Sequence, residues 1–492
     1  MNESFGIVFG LVLLFYIASL YWVGIRAAKK VQSVDDFLLA GRQLPWSIAT
    51  LTLIATWYGA ESLVTVANEV AEQGIRRALL DPFGIVLCLW IAALFVAVPL
   101  WNLNLTTIGD LFRDRYGPAA EQIASWILVP SYFGWIAAQL VALATLLKTL
   151  YGFPIEFWIV AVSIVGSGYC WLGGMWSVSW TDTLQMAFIV VGVALLAIGA
   201  ILFLGEGSLG SGIQKCFVEV PTLHWKIAAD ETWRQDWASA LGVLSIGALG
   251  NLPVQDLMQR IMSAKSASVA QRSCWLAGGG YLLLGLAPIT MGMVASIAGP
   301  QWRTDDQDVL MNLSLLVLHP IPRGLFLLAV VSAILSTFSS AVLSPAAILG
   351  RNMIAPIQHS NWLSRLPGIR SWIQDPLRVQ RLSIVFVVAA SVGLAWQGKN
   401  AYELVQESYA IALVGLTIPF MLGLYRKYAS SIPAIACMLA GTAVWFLHWW
   451  SDWEFLLDPW LRDRIPIPQE WAALVAGGIA FACGTLVVPS RR

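Results

Sequence analysis

The chain has 492 residues, of which 58% are hydrophobic and only 12% charged, with a mean hydropathy of +0.71 and a formal net charge of zero. A soluble domain of this length cannot hide so much apolar surface, so the composition predicts an all-α polytopic protein embedded in a lipid bilayer. The absence of a basic block disfavours a nucleic-acid partner. The six cysteines have no CxxC spacing, which disfavours a zinc site or a disulfide framework.

Windows of about 20 apolar residues predict thirteen membrane-spanning helices. The first window has neither a basic n-region nor a clear cleavage site, so we interpret it as a retained helix. Basic residues gather in the loops after the odd-numbered helices, which predicts an external N-terminus and a cytoplasmic C-terminus. The predicted spans are 4–25, 47–73, 80–102, 119–149, 156–175, 181–204, 237–258, 273–298, 321–349, 382–397, 400–424, 431–450 and 469–488.

Two of the predicted helices carry residues that interrupt a helix. The second has Gly59 among polar residues at its centre, and the seventh has three glycines followed by Pro253. These helices are five apart, as expected if helices 2–6 and 7–11 are inverted repeats. Interrupted helices at matching repeat positions are typical of transporter binding sites, because unwound backbone exposes carbonyls to an ion.

This pattern predicts one membrane transporter domain over residues 1–492. Within it we expect a peripheral first helix, 4–25, a first repeat, 47–204, an inverted second repeat, 237–424, and two C-terminal peripheral helices, 431–488.

The ninth predicted helix has six hydroxyl residues between positions 332 and 344 and no charged side chain there. Ala333, Ser336, Thr337 and Ser340 follow i, i+3, i+4, i+7 spacing and therefore share one stripe of the helix. Neutral oxygens on such a stripe suit a small hard cation such as Na⁺. Alternatively, each hydroxyl bonds back to a carbonyl one turn earlier in the same helix.

Four ordered motifs resemble the sodium:solute symporter family: 35–42 (DDFLLAGR), 173–185 (GGMWSVSWTDTLQ), 259–266 and 323–340. The resemblance implies a thirteen-helix, LeuT-like inverted-repeat fold. Within the family, segments 55–57 and 350–352 are most similar to the high-affinity choline transporter branch. The chain has Val254 and Val405 where that branch has further aromatic residues for a quaternary-ammonium cage.

The same resemblance implies two sodium sites. The first would use the backbone carbonyls of Ala55, Tyr58 and Ala333 with the hydroxyls of Ser336 and Thr337. The second would use Asp182 with the hydroxyls of Ser336, Ser339 and Ser340. An ionisable residue inside a membrane indicates function, although Asp182 can also be a helix-start residue.

The expected solute-binding residues are Trp57, Glu61, Asp81, Gln139 and Gln255. Trp57 offers a π face to an ammonium group, and the two acids offer carboxylates. Alternatively, Trp57 only packs or faces lipid, and both acids are helix-end residues exposed to water.

Together these features predict a sodium-coupled symporter of the plasma membrane that imports a small organic solute by alternating access, with two Na⁺ per solute. A cationic or zwitterionic amine is the expected substrate. A sugar or carboxylate substrate, and a transporter-like sensor, are the alternatives. The four histidines have neither nucleophile pairing nor metal spacing, so an enzyme is not expected.

Overall fold

The structure is a computed structural model that describes residues 3–228, 232–297, 309–357, 375–397, 401–458, 460–462 and 464–487. In the helix that begins at Ala401 the side chains are described from Tyr409 onward, so Val405 lies outside them. The described residues form helices and no β-strand. The predicted all-α class is therefore confirmed.

Twenty α-helices follow one another along the described chain. They are α1 (Glu3–Ala28), α2 (Val34–Leu39), α3 (Trp46–Trp57), α4 (Val66–Gln73), α5 (Ile85–Ile91), α6 (Ala97–Asn102), α7 (Ile108–Tyr116), α8 (Pro118–Tyr151), α9 (Ile155–Leu204), α10 (Leu209–Glu219), α11 (Trp233–Ser245), α12 (Gln255–Ser263), α13 (Ala267–Ile297), α14 (Val309–Val317), α15 (Pro320–Ile348), α16 (Ala355–Ile357), α17 (Pro376–Ala395), α18 (Ala401–Tyr425), α19 (Ile432–Trp450) and α20 (Gln469–Val487). Turns of π-helix lie at Glu61–Thr65, Leu79–Gly84, Ala92–Val96, Ile246–Gly250 and Leu349–Ile354.

Nine helical segments in the described residues are long and apolar enough to cross a membrane, and the bent pair α11–α12 makes a tenth. Each of the thirteen predicted windows overlaps a helix. Windows 156–175 and 181–204 fall on the same 50-residue helix, α9. At about 1.5 Å per residue, such a helix is far longer than a bilayer core of about 30 Å.

The helix α9 bends at Gly174, and residues 176–180, which separate the fifth and sixth predicted spans, are helical. Gly174 has φ 51° and ψ −136°, a conformation that favours glycine. A Cβ atom there would lie 2.1 Å from the carbonyl oxygen of Phe37. The bend therefore depends on glycine both for its backbone angles and for its close contact with α2.

Both predicted helix interruptions are confirmed. After α3 the chain leaves helical geometry at Tyr58 (φ −80°, ψ 74°) and resumes through a π-turn into α4. After α11 a π-turn and residues 251–254 separate it from α12, and the two helices differ in direction by 43°. The seventh helix was predicted to end at 258, but α12 continues to Ser263.

Burial distinguishes the helices at the centre of the fold from those at its edge. In the most apolar part of Pro320–Ile354, which contains α15, 94% of the residues are buried, against 17% in α1. The helix α15 is therefore surrounded by protein, and its hydroxyl stripe does not face lipid. Outside the predicted spans, α14 forms a helix where we expected only a loop.

Candidate functional site

The interrupted end of α3 packs directly against the hydroxyl stripe of α15. Thr337 Oγ1 donates a hydrogen bond to the carbonyl oxygen of Ala55 over 3.2 Å. A Cβ atom on Gly59 would lie 2.6 Å from Thr337 Oγ1, so only a residue without a side chain lets the two helices approach this closely. Tyr58, between Ala55 and Gly59, carries the non-helical backbone. The predicted first-site residues of α3 and α15 are thus brought together.

Hydrogen bonds back to the same helix account for part of the stripe. Ser336 Oγ donates to the Ala333 carbonyl over 2.9 Å, and Ser339 Oγ donates to the Ser336 carbonyl over 3.1 Å. A hydroxyl that donates its proton keeps lone pairs for a cation. Thr337 instead bonds across to α3, so local back-bonding does not explain the whole stripe.

The donor types at this junction suit a hard cation. Carbonyl and hydroxyl oxygens are the ligands that alkali and alkaline-earth ions take in proteins. No group of three or more His, Cys, Asp or Glu residues capable of holding a metal is found in the part of the chain that the structure describes. A transition-metal centre therefore has no support among these residues.

Asp182 lies fully buried within α9, a helix that packs against α15. Its Oδ2 accepts a hydrogen bond from Thr52 Oγ1 of α3, and its Oδ1 has no hydrogen-bond partner among the described residues. Because a buried unpaired carboxylate oxygen is costly, Oδ1 fits the position of a cation ligand. Asp182 is in the helix interior, so the interpretation as a helix-start residue is wrong.

Ser340 has a partner that the sequence did not predict. Its Oγ accepts a hydrogen bond of 2.5 Å from Arg260 Nη2, and Arg260 is only 1% exposed. Arg260 also interacts electrostatically with Asp182. One hydroxyl of the proposed second sodium site therefore already bonds a buried guanidinium.

More polar groups surround Asp182 on the side of α1. Gln185, one turn further along α9, is fully buried, and neither of its amide atoms has a hydrogen-bond partner among the described residues. Tyr16 of α1 shares a 2.6 Å hydrogen bond with Ser332, and Tyr169 donates to the Leu335 carbonyl over 3.0 Å. The i, i+3 spacing of Asp182 and Gln185 is a signal that sequence reasoning missed.

Glu61 is buried in a cluster of neutral donors. Its Oε1 accepts from Trp135 Nε1 and its Oε2 from Gln139 Nε2, each over 2.5 Å. Gln139 Oε1 in turn accepts from the backbone N–H of Ala60, over 3.0 Å, next to the break after α3. Glu61 is 6% exposed, so the interpretation that it is a water-exposed helix-end residue is wrong.

Asp81 is buried on the opposite side of the same break. Ser62 Oγ lies 2.5 Å from its Oδ2, and Tyr281 donates to the carboxylate over 3.0 and 3.1 Å. Tyr281 also lies 3.1 Å from the carbonyl oxygen of Trp57. Asp81 is 5% exposed, so it too is not a water-exposed helix-end residue.

A third buried acid, Asp256 at the start of α12, was not predicted. Its Oδ2 accepts from Trp57 Nε1 and its Oδ1 from Tyr132, both over 2.5 Å. Trp57 is 1% exposed, so it does not face lipid. The Trp57 indole thus joins the end of α3 to the break before α12.

A small cavity of about 10 Å³, roughly the room for one water molecule, lies beside these groups. It is lined by Ser131, Tyr132, Trp135, Asn251, Val254, Asp256 and Tyr409. The cavity therefore combines a carboxylate with three aromatic side chains, next to the Glu61 cluster. Tyr132, Trp135 and Gln139 occur at i, i+3, i+7 on α8, a spacing that could have identified this face.

Gln255 does not join the other predicted solute-binding residues. Its Oε1 accepts from the backbone N–H of Ile108 over 2.7 Å, and its Nε2 donates to the Thr106 carbonyl over 3.4 Å. Its side chain therefore anchors the start of α7. The adjacent residue, Asp256, is the one at the cavity.

Known proteins to which this chain is similar are membrane transporters. The model of the sodium:solute symporter family matches residues 37–441. The chain is 23% identical to high affinity choline transporter 1 of Homo sapiens over 453 residues, covering 87% of this chain and 74% of that protein. It is 24% identical to the sodium/glucose cotransporter of Vibrio parahaemolyticus over 466 residues, covering 87% and 83%.

The fold is also that of a solved structure, the substrate-bound outward-open state of a Na⁺-coupled sialic acid symporter. The TM-score is 0.79 at 18% sequence identity, and the match covers 99% of each chain. The predicted LeuT-like fold is therefore confirmed. The family match includes both interrupted helices, the carboxylates beside them and the hydroxyl stripe of α15, so the chain belongs to the sodium:solute symporter family.

Proposed function

We propose that this protein is a secondary active symporter that couples inward sodium flow to the uptake of a small organic solute. The observation that carries the proposal is the contact between the interrupted end of α3 and the hydroxyls of α15, where Thr337 reaches the Ala55 carbonyl over 3.2 Å. An unwound helix end supplies carbonyl ligands, and the facing hydroxyls complete an oxygen shell. Family membership supports the same conclusion.

The first sodium ion binds between α3 and α15. Its ligands are the carbonyls of Ala55, Tyr58 and Ala333 and the hydroxyls of Ser336 and Thr337. An ion held by both helices stabilises their contact, so its binding favours one conformation and its loss to the cytoplasm lets the helices separate. This gives sodium control over access to the solute cavity.

A second sodium ion binds at Asp182 with Ser336, Ser339 and Ser340. The buried Oδ1 of Asp182, which has no hydrogen-bond partner among the described residues, supports this assignment. A carboxylate raises the affinity of a site for a cation in a low-dielectric interior. Transport with two Na⁺ per solute follows from the two sites.

The solute is a cationic or zwitterionic amine bound among Trp57, Glu61, Asp81 and Gln139, with Asp256 added to the set. The hydrogen bonds donated to Glu61 and Asp81 by described side chains come from neutral groups. Neutral donors leave the negative charge uncompensated, and an ammonium group would supply the missing charge.

The aromatic side chains favour the same class of solute. Trp57, Tyr132, Trp135 and Tyr409 are all buried near the carboxylates. Each cation–π contact with an ammonium group is worth about 0.5–2 kcal/mol, depending on how fully the group loses water. Val254 lines the cavity, which leaves more room than an aromatic residue would. The similarity to a human choline transporter agrees with an amine.

A sugar is the second candidate. The carboxylates of Glu61, Asp81 and Asp256 can accept hydrogen bonds from sugar hydroxyls, and the chain is similar to a Vibrio sodium/glucose cotransporter. A purely anionic solute would face the same acids without a counter-charge, so a carboxylate substrate is disfavoured.

Uptake into proteoliposomes distinguishes these solutes. A panel of choline, betaine, amino acids, hexoses and short carboxylates is tested for sodium-dependent competition and for sodium-dependent thermal stabilisation of the protein. We expect amines to compete, and Trp57→Ala to weaken their binding. The matched control is Trp126→Ala, because Trp126 is 66% exposed. Competition by carboxylates alone, or an unchanged affinity in Trp57→Ala, would contradict an amine substrate.

The protein is oriented in the plasma membrane with its N-terminus outside and its C-terminus in the cytoplasm. The basic residues of the loops after odd-numbered helices support this orientation. Labelling of single cysteines placed in those loops, in intact and permeabilised cells, tests it.

A further inference from the structure

Arg260 is a fully buried cation that contacts the proposed second sodium site. Its Nη2 donates to Ser340 Oγ over 2.5 Å, and its Nη1 donates to the carbonyl oxygen of Asp256 over 3.2 Å. It lies on α12, which follows the interrupted part of the seventh helix. The Ser340 hydroxyl therefore bonds a guanidinium in the structure and is also a ligand of the second sodium ion in the proposed function.

The electrostatic surroundings of the guanidinium include two buried carboxylates. Arg260 interacts electrostatically with both Asp182, in α9, and Asp256, at the cavity. Its hydrogen bonding is incomplete, since Nε has no partner among the described residues, as is also true of Asp182 Oδ1. Arg260 Nε can therefore still donate, and Asp182 Oδ1 can still accept or bind a cation.

We propose that Arg260 is a tethered cation that competes with sodium for the Asp182–Ser340 site. This inference rests on the proposed second sodium site. When that site lacks sodium, Arg260 bonds Ser340 and compensates the charge of Asp182. When sodium binds, the two cations repel each other across a low-dielectric interior, and the guanidinium withdraws towards Asp256.

Two consequences follow for transport. Arg260 lowers the affinity of the second site for sodium, because each sodium ion must displace a cation that is already present. It also keeps Asp182 compensated after sodium has left, so the carrier without sodium can return. When the protein only exchanges solute across the membrane, the carrier returns with sodium still bound. Solute exchange therefore does not need Arg260 to compensate the charge of Asp182.

The test compares Arg260→Gln with the wild type and with Arg272→Gln. Gln keeps a donor for Ser340 without the charge, and Arg272 is the matched control because its guanidinium lies over Trp46, away from Asp182. Sodium is titrated against the intrinsic tryptophan fluorescence of the purified protein. We expect the half-saturating sodium concentration to fall about tenfold in Arg260→Gln, and to stay unchanged in Arg272→Gln.

A double-mutant cycle with Asp182→Asn tests the pairing. The effect of Arg260→Gln should disappear when Asp182 is already neutral, because no charged site remains to compete for. In proteoliposomes, net uptake by Arg260→Gln should fall, while solute exchange should be largely retained. Arg260→Lys, which keeps the charge, should stay closer to the wild type.

If Arg260→Gln leaves the half-saturating concentration unchanged or raises it, Arg260 is only a structural counter-ion and the inference fails. If Asp182→Asn itself changes neither the titration nor the number of sodium ions per solute, the proposed second site fails instead. Should Arg260→Gln fail to accumulate, Asp256→Asn is compared with Asp256→Asn/Arg260→Gln. If the half-saturating sodium concentration does not differ about tenfold between these two variants, the inference is also overturned.

Discussion

Two pairs of hydroxyls lie next to each other on α15, in different electrostatic surroundings. Ser336 and Thr337 face the neutral carbonyls at the end of α3, as the bond from Thr337 to Ala55 shows. Ser339 and Ser340 lie on the side of Asp182 and Arg260, and Ser340 already bonds the guanidinium. Hydroxyl residues of one helix thus face neutral carbonyls at positions 336 and 337, and charged side chains influence the surroundings of positions 339 and 340.

This difference separates two ways of holding a cation. At the first pair, a sodium ion adds the only full charge, so its affinity depends on the number and placement of oxygens. At the second pair, a carboxylate and a guanidinium are present beforehand, so sodium binding is an exchange of charges. Removing a neutral oxygen should therefore cost less than removing the carboxylate. The following predictions test that order.

The largest effect is expected from Asp182→Asn. Removing the carboxylate takes away a charge–charge attraction to the ion of about 4 kcal/mol, which weakens ion binding by roughly a thousandfold. The variant should therefore transport with one sodium ion per solute, or lose voltage sensitivity. The flux ratio in proteoliposomes measures this. A ratio of one sodium per solute in the wild type would refute the two-site proposal.

The double substitution Ser336→Ala/Thr337→Ala should have the next largest effect. It removes two oxygens from the first site, each worth about 1–1.5 kcal/mol, so the half-saturating sodium concentration of that site should rise about 30- to 150-fold. Ser336 is also a proposed ligand of the second site, which loses one oxygen. Expression should stay largely intact because both side chains are small. Uptake with an unchanged sodium affinity would show that these hydroxyls are not ligands.

Gly59→Ala should perturb the first site without touching Asp182. The new Cβ would lie 2.6 Å from Thr337 Oγ1 and 2.7 Å from Gln139 Oε1, so both side chains must shift. Overpacking of this kind costs about 1–3 kcal/mol. We expect a sodium affinity about tenfold weaker, with the number of sodium ions per solute unchanged. A change in that number would mean that the two sites are not separable.

The smallest effect is expected from Ser344→Ala. Ser344 lies one turn beyond Ser340, and its hydroxyl bonds the Ser340 carbonyl oxygen and Gln259 Oε1, neither of which is a proposed ion ligand. Losing those bonds should lower thermal stability slightly, by about 1 kcal/mol. Sodium half-saturation should change less than about twofold. A larger shift would extend the ion sites further along α15 than proposed here.

Much of the fold could be predicted because its signals are local. Apolar windows located the helices, and glycine and proline located the interruptions after α3 and α11. The i, i+3, i+4, i+7 spacing of Ala333, Ser336, Thr337 and Ser340 identified the hydroxyl stripe of α15. The bend of α9 at Gly174 was not predicted, and two separate spans were expected there instead, since a glycine in a membrane helix does not by itself indicate a bend.

The partners of the charged residues could not be predicted in the same way. Trp57 bonds Asp256 across 199 positions of sequence, Tyr132 bonds Asp256 across 124, and Trp135 bonds Glu61 across 74. No pattern in one helix indicates which distant helix will face it. Gln255 was chosen as a solute ligand although its neighbour Asp256 reaches the cavity, because a one-residue step turns a side chain to another face of the helix.

The sequence by itself determined the class of protein, the approximate helix positions, the two interruptions and the hydroxyl stripe, because hydropathy and helical periodicity are properties of neighbouring residues. Tertiary structure decided that Glu61, Asp81 and Asp256 are buried among neutral donors, and that the buried Arg260 bonds Ser340 and the backbone of Asp256. The electrostatic properties of a buried charged side chain depend on the charges and dipoles around it. In this protein the surrounding groups belong to helices that are far apart in the chain. Only packing in three dimensions brings them within hydrogen-bonding distance.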